Sequence, residues 1–315
     1  MTGLGAPPGP EYYLTPGDPV TCLSLRQDQL VAGLATGEIV SYDINTWREQ
    51  NRQKVFDRGG LLWLDVVELE GARRLVAQGR FEGVKVLDVR EDERWSEVAS
   101  FSIPHSGFCA GYLHQLQSDL LMIVASDTSK VLVSKLWRTF IRPVSRLLKE
   151  KAGTVISVAQ AQLETGRLVA GYESGEVVLW DWTNNIQLHS IGLAEHVGTL
   201  MSLTWDMDKM LGVVVGSDNK VLVVDEELEL LKAREVTNSG LSSVMVRGDG
   251  KLLVTGGWDG RLRLFSWLKP RNLKPLAVLQ FHQEAVESLI SSCADSKQLI
   301  VAGGKDGKIS VWDIY

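Results

Sequence analysis

The chain has 315 residues, 44% of them hydrophobic and 23% charged, with a formal net charge of -6. Its basic residues are dispersed apart from Arg138 to Lys151, which excludes the clustered cationic footprint of a nucleic-acid binder. No apolar run approaches the ~18 residues of a membrane span, and MTGLGAPPGP lacks the basic-then-apolar order of a secretion signal. Cys22, Cys109 and Cys293 lie in or beside predicted strands without framework spacing, so they read as buried thiols of a reducing compartment.

Met1 to Pro10 is rich in Gly and Pro and reads as a disordered tail, with residues 11–315 forming one domain. Glu11 to Thr15 follows, a short strand around Tyr12-Tyr13-Leu14 with no hairpin partner of its own. Then a two-strand unit with a tight turn begins to recur. It reads LVAGLATGEIVSYDI at Leu30 to Ile44, LVAQGRFEGVKVLDV at Leu75 to Val89, LMIVASDTSKVLVSKL at Leu121 to Leu136 and LVAGYESGEVVLWDW at Leu168 to Trp182. Three more copies are LGVVVGSDNKVLVVDE at Leu211 to Glu226, LLVTGGWDGRLRLFSW at Leu252 to Trp267 and LIVAGGKDGKISVWDI at Leu299 to Ile314.

The residue closing each second strand is Asp43, Asp88, Lys135, Asp181, Asp225, Ser266 or Asp313, at spacings of 45, 47, 46, 44, 41 and 47 residues. An isolated hairpin cannot bury its own face, so a repeat of this length needs an inner strand before it and an outer strand after it. Inner strands are predicted at Val20 to Leu25 and Leu61 to Val67 in the first two copies. Outer strands are predicted at Lys54 to Phe56, Trp95 to Phe101, Pro143 to Leu147, Gln187 to Gly192, Leu231 to Val236 and Pro275 to Phe281. Asn45 to Gly60 reads otherwise as a plain loop. The seventh copy ends at Tyr315 with no outer strand, and Glu11 to Thr15 is the segment free to supply it. The fold is therefore all-β: a seven-bladed WD40 β-propeller closed by the N-terminal strand pairing with the last blade.

Blade 3 lacks the Trp-Asp ending and runs into Trp137, Phe140 and Ile141 interleaved with Arg138, Arg142 and Arg146. This reads as an irregular outer strand with a solvated basic edge, against the alternative of a docking surface; Pro143 argues against a continuous helix.

His105, His196 and His282 each precede an inner strand, and Asp218 and Asp306 stand in hairpin turns beyond the second and third of them. Such pairs serve as general bases in enzymes, but in a blade they are expected to fix loops through buried hydrogen bonds. Thr36, Phe81, Thr128 and Ser174 hold the turn position elsewhere, so that network is incomplete. Metal-ligand spacing, phosphate loops and nucleophile elbows are absent, and neither catalysis nor a cofactor is expected. Recognition remains. The position before the turn Asp is filled by Arg80, Glu173, Trp258 and Lys305 among others, and these, with Tyr172, are the candidate protein-binding residues. Packing over the next blade is the competing role for Trp258 and Tyr172.

EVTNSGLSSVMVRGDGKLLVTGGWDGRLRLFSW at Glu235 to Trp267, PLAVLQFHQEAVESL at Pro275 to Leu289 and AGGKDGKISVWDIY at Ala302 to Tyr315 carry a closer resemblance. They resemble the G-protein beta-subunit-like protein 1 family, related to fungal ASTRA-associated protein 1. Thr237-Asn238-Ser239-Gly240 standing where Gly-His is usual is the most specific feature. The resemblance implies a non-enzymatic adaptor associated with the TTT co-chaperone complex and the maturation of phosphatidylinositol-3-kinase-related kinases. It bears on DNA-damage signalling and implies cytoplasmic and nuclear residence. A substrate receptor of a ubiquitin ligase and a chromatin-complex scaffold are the alternatives. A monomeric propeller is expected, with no membrane or nucleic-acid partner; no G-gamma partner is expected either, because no N-terminal coiled-coil helix precedes the closing strand.

Overall fold

The computed structural model describes residues 9–26, 28–89, 94–103, 105, 107–126, 130–150, 152–162, 166–294 and 297–314. The expected tail thus lies almost wholly outside the described residues. The described strands form seven four-stranded antiparallel sheets, six of them built from consecutive strands. The seventh takes its fourth strand from the other end of the chain: Tyr12–Leu14 pairs with Ile309–Asp313, in the register Tyr12 to Val311, Tyr13 to Ser310 and Leu14 to Ile309. The last blade thereby gains its fourth strand as expected, and Ile309–Asp313 is covered at the join.

The core is divided among the blade interfaces. Seven clusters of buried side chains each join two neighbouring blades. Strand alternation produces this: in blade 1, Leu30, Ala32 and Val40 pack with Val301 and Val311 of blade 7, whereas Val31 and Ile39 pack with Leu64 and Leu75 of blade 2. Each blade is apolar on both faces, which explains why its middle strands read as nearly continuous apolar runs.

A glycine next to the end of the second strand serves close approach in blades 1, 4 and 6. A Cβ on Gly33 would lie 2.9 Å from the Leu61 side chain, one on Gly171 2.8 Å from Leu200, and one on Gly256 2.7 Å from Val286. In each case the neighbour is the first residue of the next blade's inner strand, so the glycine lets consecutive blades nest. Six inner strands also carry a register shift immediately after that residue, for example between Val286 and Ser288. The extra residue bends the strand where it meets the loop face.

Two expectations are corrected. The outer strand of blade 1 is Arg48–Lys54, not Lys54 to Phe56, and it occupies much of the segment read as a loop. Its sequence REQNRQK is polar throughout because the strand is largely solvated, so it carries no alternation to detect. The four-residue helix Ala194–Val197 before blade 5 was not foreseen. In blade 3 the outer strand is Ile141–Leu148, without a helix. The aromatics before it are locally satisfied: Trp137 and Phe140 stack at 4.5 Å, and the Trp137 amide donates to the Phe140 carbonyl. Arg138 reaches back to Asp88 of blade 2 at 3.3 Å.

Candidate interaction face

One backbone contact fixes the geometry of the candidate residues. The amides of Arg80, Glu173, Trp258 and Lys305 donate to the carbonyls of Gly60, Thr154, Gly240 and Ala285, at 2.8–2.9 Å. Ala35 and Ser217 repeat it with Pro19 and Thr199. Each donor starts a hairpin turn and each acceptor ends the loop entering an inner strand, so the residues hold equivalent places on one face of the ring. The structure sets Arg80, Glu173, Trp258 and Lys305 at equivalent places on that face, in blades 2, 4, 6 and 7.

Tyr172 does not join them. It is fully buried, inside the cluster between blades 3 and 4, and burial pushes its phenol well above the ordinary value. Strand alternation turns it to the opposite side from Glu173, so its role is packing.

The surface residues differ in how they are held. Trp258 is 47% exposed, and its ring lies on Gly240, where a Cβ would stand 2.2 Å from the indole. Gly240 also has φ +84°, so a larger residue there is excluded both by backbone and by contact. Packing and exposure thus coexist in Trp258: one face rests on Gly240 and the rest meets solvent. Glu173 accepts a hydrogen bond from the Thr154 amide at 3.3 Å. Lys305 is exposed and lies near Glu287 at the bulge of the adjacent inner strand. Desolvation by the surrounding protein raises the Glu287 carboxyl above its usual value, and Lys305 pulls it down.

Arg80 has neighbours that sequence reasoning did not single out for binding. Its guanidinium Cζ stands 4.0 Å from the ring centroid of Phe108 and 5.1 Å from that of Phe81. Both rings are exposed, 69% for Phe108 and 52% for Phe81. Phe81 has φ +74°, a left-handed conformation that costs a β-carbon-bearing residue about 1–2 kcal/mol. The available signal was an aromatic residue in the turn position that holds Asp in blades 5, 6 and 7.

Among the described residues, the expected histidine network forms in blade 7. In blade 7, His282 Nδ1 is 3.0 Å from Asp306 Oδ1, its Nε2 is 2.8 Å from Ser310 Oγ, and the Trp312 indole donates to the same hydroxyl at 2.9 Å. Asp306 also accepts from the Gln283 and Lys308 amides, so the relay ties the inner-strand loop to the turn. Each ring nitrogen is committed within the fold, which is the structural role expected.

His196 departs from that pattern. It lies in the short helix and makes no hydrogen bond to Asp218, and Leu222 stands where blade 7 has Ser310. In blade 6, Thr237 stands where blade 7 has His282 and Arg263 where it has Ser310. Arg263 reaches Asp259 directly, with Nη1 to Oδ1 at 3.1 Å and Nη2 to Oδ2 at 2.6 Å. Burial raises the Asp259 carboxyl, but the Arg263 bonds outweigh it and leave the group below its usual value.

The thiols of Cys22 and Cys109 are buried, and burial pushes Cys22 up to about 12 and Cys109 higher still. Neither is positioned as a nucleophile. Among the described residues, no group of His, Cys, Asp and Glu has the geometry of a metal site.

The repeat geometry agrees with comparisons to known proteins. The family model for the WD domain, G-beta repeat, matches residues 231–266 and 273–313. The mouse guanine nucleotide-binding protein subunit beta-like protein 1 is 30% identical over 297 residues, covering 91% of this chain and 87% of that protein. The chain belongs to this family. ASTRA-associated protein 1 of Schizosaccharomyces japonicus is 32% identical over 190 residues, 53% of this chain and 49% of that relative. The chain is thus matched to about half the length of the fungal protein. The crystal structure of Sqt1 from Saccharomyces cerevisiae superposes with a TM-score of 0.70 at 11% identity, covering 97% of this chain and 99% of that one, and speaks to the fold alone. A WD40 propeller of this family is a non-catalytic protein-interaction scaffold.

Proposed function

We propose that this propeller is an adaptor for the TTT co-chaperone complex in the maturation of phosphatidylinositol-3-kinase-related kinases, acting in cytoplasm and nucleus. The family resemblance supports that partner class, as does the similarity to fungal proteins named for association with ASTRA. The observation that carries the site is the repeated backbone contact that sets Arg80, Glu173, Trp258 and Lys305 on one face. Arg80 and Lys305 belong to blades 2 and 7, which flank blade 1, whereas Glu173 stands across the ring in blade 4. Trp258, in blade 6 next to the blade of Lys305, supplies an amphipathic anchor on this face. A propeller held by seven interlocked blade interfaces presents this surface preformed, so binding loses little to ordering.

The test is quantitative affinity purification of the intact protein beside Trp258→Ala and an Arg80→Glu/Lys305→Glu pair, each confirmed folded. Selective loss of TTT or kinase components from the variants is the expected result. Unchanged recovery removes the site from this face, and absence of those components from the wild type overturns the adaptor reading.

A further inference from the structure

We propose that this propeller pairs with a second copy of itself through the face opposite Trp258, along the seam between blades 5 and 6. The proposal goes beyond the adaptor reading and uses none of the residues that carry it.

In an antiparallel blade the central hairpin turn lies on one face of the ring, and the connections before and after that hairpin lie on the other. Two such connections meet at the seam. One joins Leu200–Asp206 to Leu211–Gly216 in blade 5, and the other joins Arg261–Ser266 to Pro275–Gln280 in blade 6. The Trp267 indole donates to the Asp206 carboxylate at 2.5 Å and fastens the two together. Directly after these residues in the chain stand Met207, 41% exposed, and Leu268, 66% exposed. A buried bond thus carries an exposed apolar residue beside each of its ends.

Charge divides across this seam. On the blade 6 side Lys269, Arg271 and Lys274 are exposed. On the blade 5 side Asp208, Glu227 and Glu229 are exposed, the last two in the connection from Lys220–Val224 to Leu230–Glu235. Among the described residues, none of these side chains makes a hydrogen bond or ion pair, although opposite charges stand on neighbouring connections. Charges with an internal partner are set apart: Lys209 meets Asp206, Arg247 meets Asp249, and Glu226 lies 4.0 Å from Arg167. Lys251 also acts on Asp249.

Both connections are held in place. Trp267 and Leu273 are fully buried, and the Asn272 and Leu273 amides donate to the Lys269 carbonyl at 2.9 and 3.3 Å. Leu228 is buried, and the Asp225 carboxylate accepts from the Glu227 and Glu229 amides at 3.1 and 2.8 Å. The charges are therefore presented preformed.

This division selects the occupant. A purely acidic or purely basic partner gains on one side of the seam and is repelled on the other. A two-fold axis lying along the seam sets the cationic side of one copy over the anionic side of its partner, twice, and brings Met207 and Leu268 against their own equivalents. Exposed ion pairs are individually weak and the apolar centre is small, so the association is reversible and salt-sensitive.

The test is sedimentation velocity of the intact protein over a wide range of concentrations at low and high salt. A monomer–dimer equilibrium displaced toward monomer by salt is expected. Lys269→Glu/Arg271→Glu/Lys274→Glu and Asp208→Lys/Glu227→Lys/Glu229→Lys, each with an unchanged thermal transition, should be monomeric alone and form a heterodimer when mixed. Leu268→Ser leaves the charge untouched and should weaken the wild-type dimer about tenfold, which separates docking on the seam from general attraction between opposite charges. Trp258→Ala should leave the dimer intact. A wild type that stays monomeric throughout, a dimer that survives either charge reversal, a mixture that does not associate, or a dimer lost in Trp258→Ala overturns the proposal. Recovery of TTT components bears on the adaptor reading alone, so either reading can fail without the other.

Discussion

Blades 6 and 7 solve one problem in two ways. Each must tie a tight Asp-Gly turn to its own strands and to the loop that enters the blade. Blade 7 uses a relay through His282, Ser310 and Trp312, whereas blade 6 replaces the relay by one bidentate ion pair, Arg263 to Asp259. The difference reaches the surface. With no histidine needed at Thr237, the loop through Gly240 is released from the network and becomes the platform on which Trp258 rests. A scaffold can thus change how a turn is fastened and gain a surface feature without changing the blade.

The largest disturbance removes the strand that completes blade 7. Deleting residues 1–18 should abolish cooperative unfolding or leave an aggregating protein, because Ile309–Asp313 loses its pairing and the Leu14 contact with blade 1 goes with it. A chain that still melts as one sharp transition by calorimetry would show that closure is dispensable.

Next, Arg263→Ala strands a partly buried carboxylate and should cost about 3 kcal/mol in urea unfolding. The transplant Thr237→His with Arg263→Ser should recover part of that loss by rebuilding the blade 7 arrangement in blade 6. No recovery would mean that the two solutions are not exchangeable. The same pair predicts acid sensitivity. The folded Asp259 carboxyl lies below its usual value of 3.8, so its contribution is present above that pH and is lost as pH falls through the lower folded value. Arg263→Ala should flatten this part of the stability profile below pH ~4.

His282→Ala should cost about 1–3 kcal/mol, since Asp306 and Ser310 each lose a partner. On the surface, Gly240→Ala should destabilise by about 1–2 kcal/mol through its positive φ and the Trp258 ring, whereas Trp258→Ala should cost less than about 1 kcal/mol. Reversal of that order in thermal melts would assign Trp258 mainly to packing.

The architecture was legible because it rests on repetition. Seven apolar hairpins of similar spacing and one orphan strand determine the ring and its closure, and neither depends on a particular contact. Arg48–Lys54 escaped notice because an outer strand is exposed and its polar side chains lose the period of two. Tyr172 was misassigned to the surface because neighbours in a strand look alike in sequence while facing opposite ways. Phe81 and Phe108 come together from two separate connections, and only the fold brings them around Arg80. His196 shows the converse: the residue type and the spacing to Asp218 resemble those of blade 7, yet the residue lies in a short helix and the pair does not form.

Closure by the two ends has a consequence for synthesis. Tyr12–Leu14 leaves the ribosome well before Ile309–Asp313, with the other six blades between them. At roughly 5–20 residues per second, the first strand waits on the order of 15–60 s for its partner. During that interval each finished blade stacks on the one before it while the ring stays open, with the blade 1 face that will meet blade 7 exposed as a sticky end. The nascent protein is then a curved stack with an apolar face at each end, and it needs shielding from other chains until its own last strand arrives.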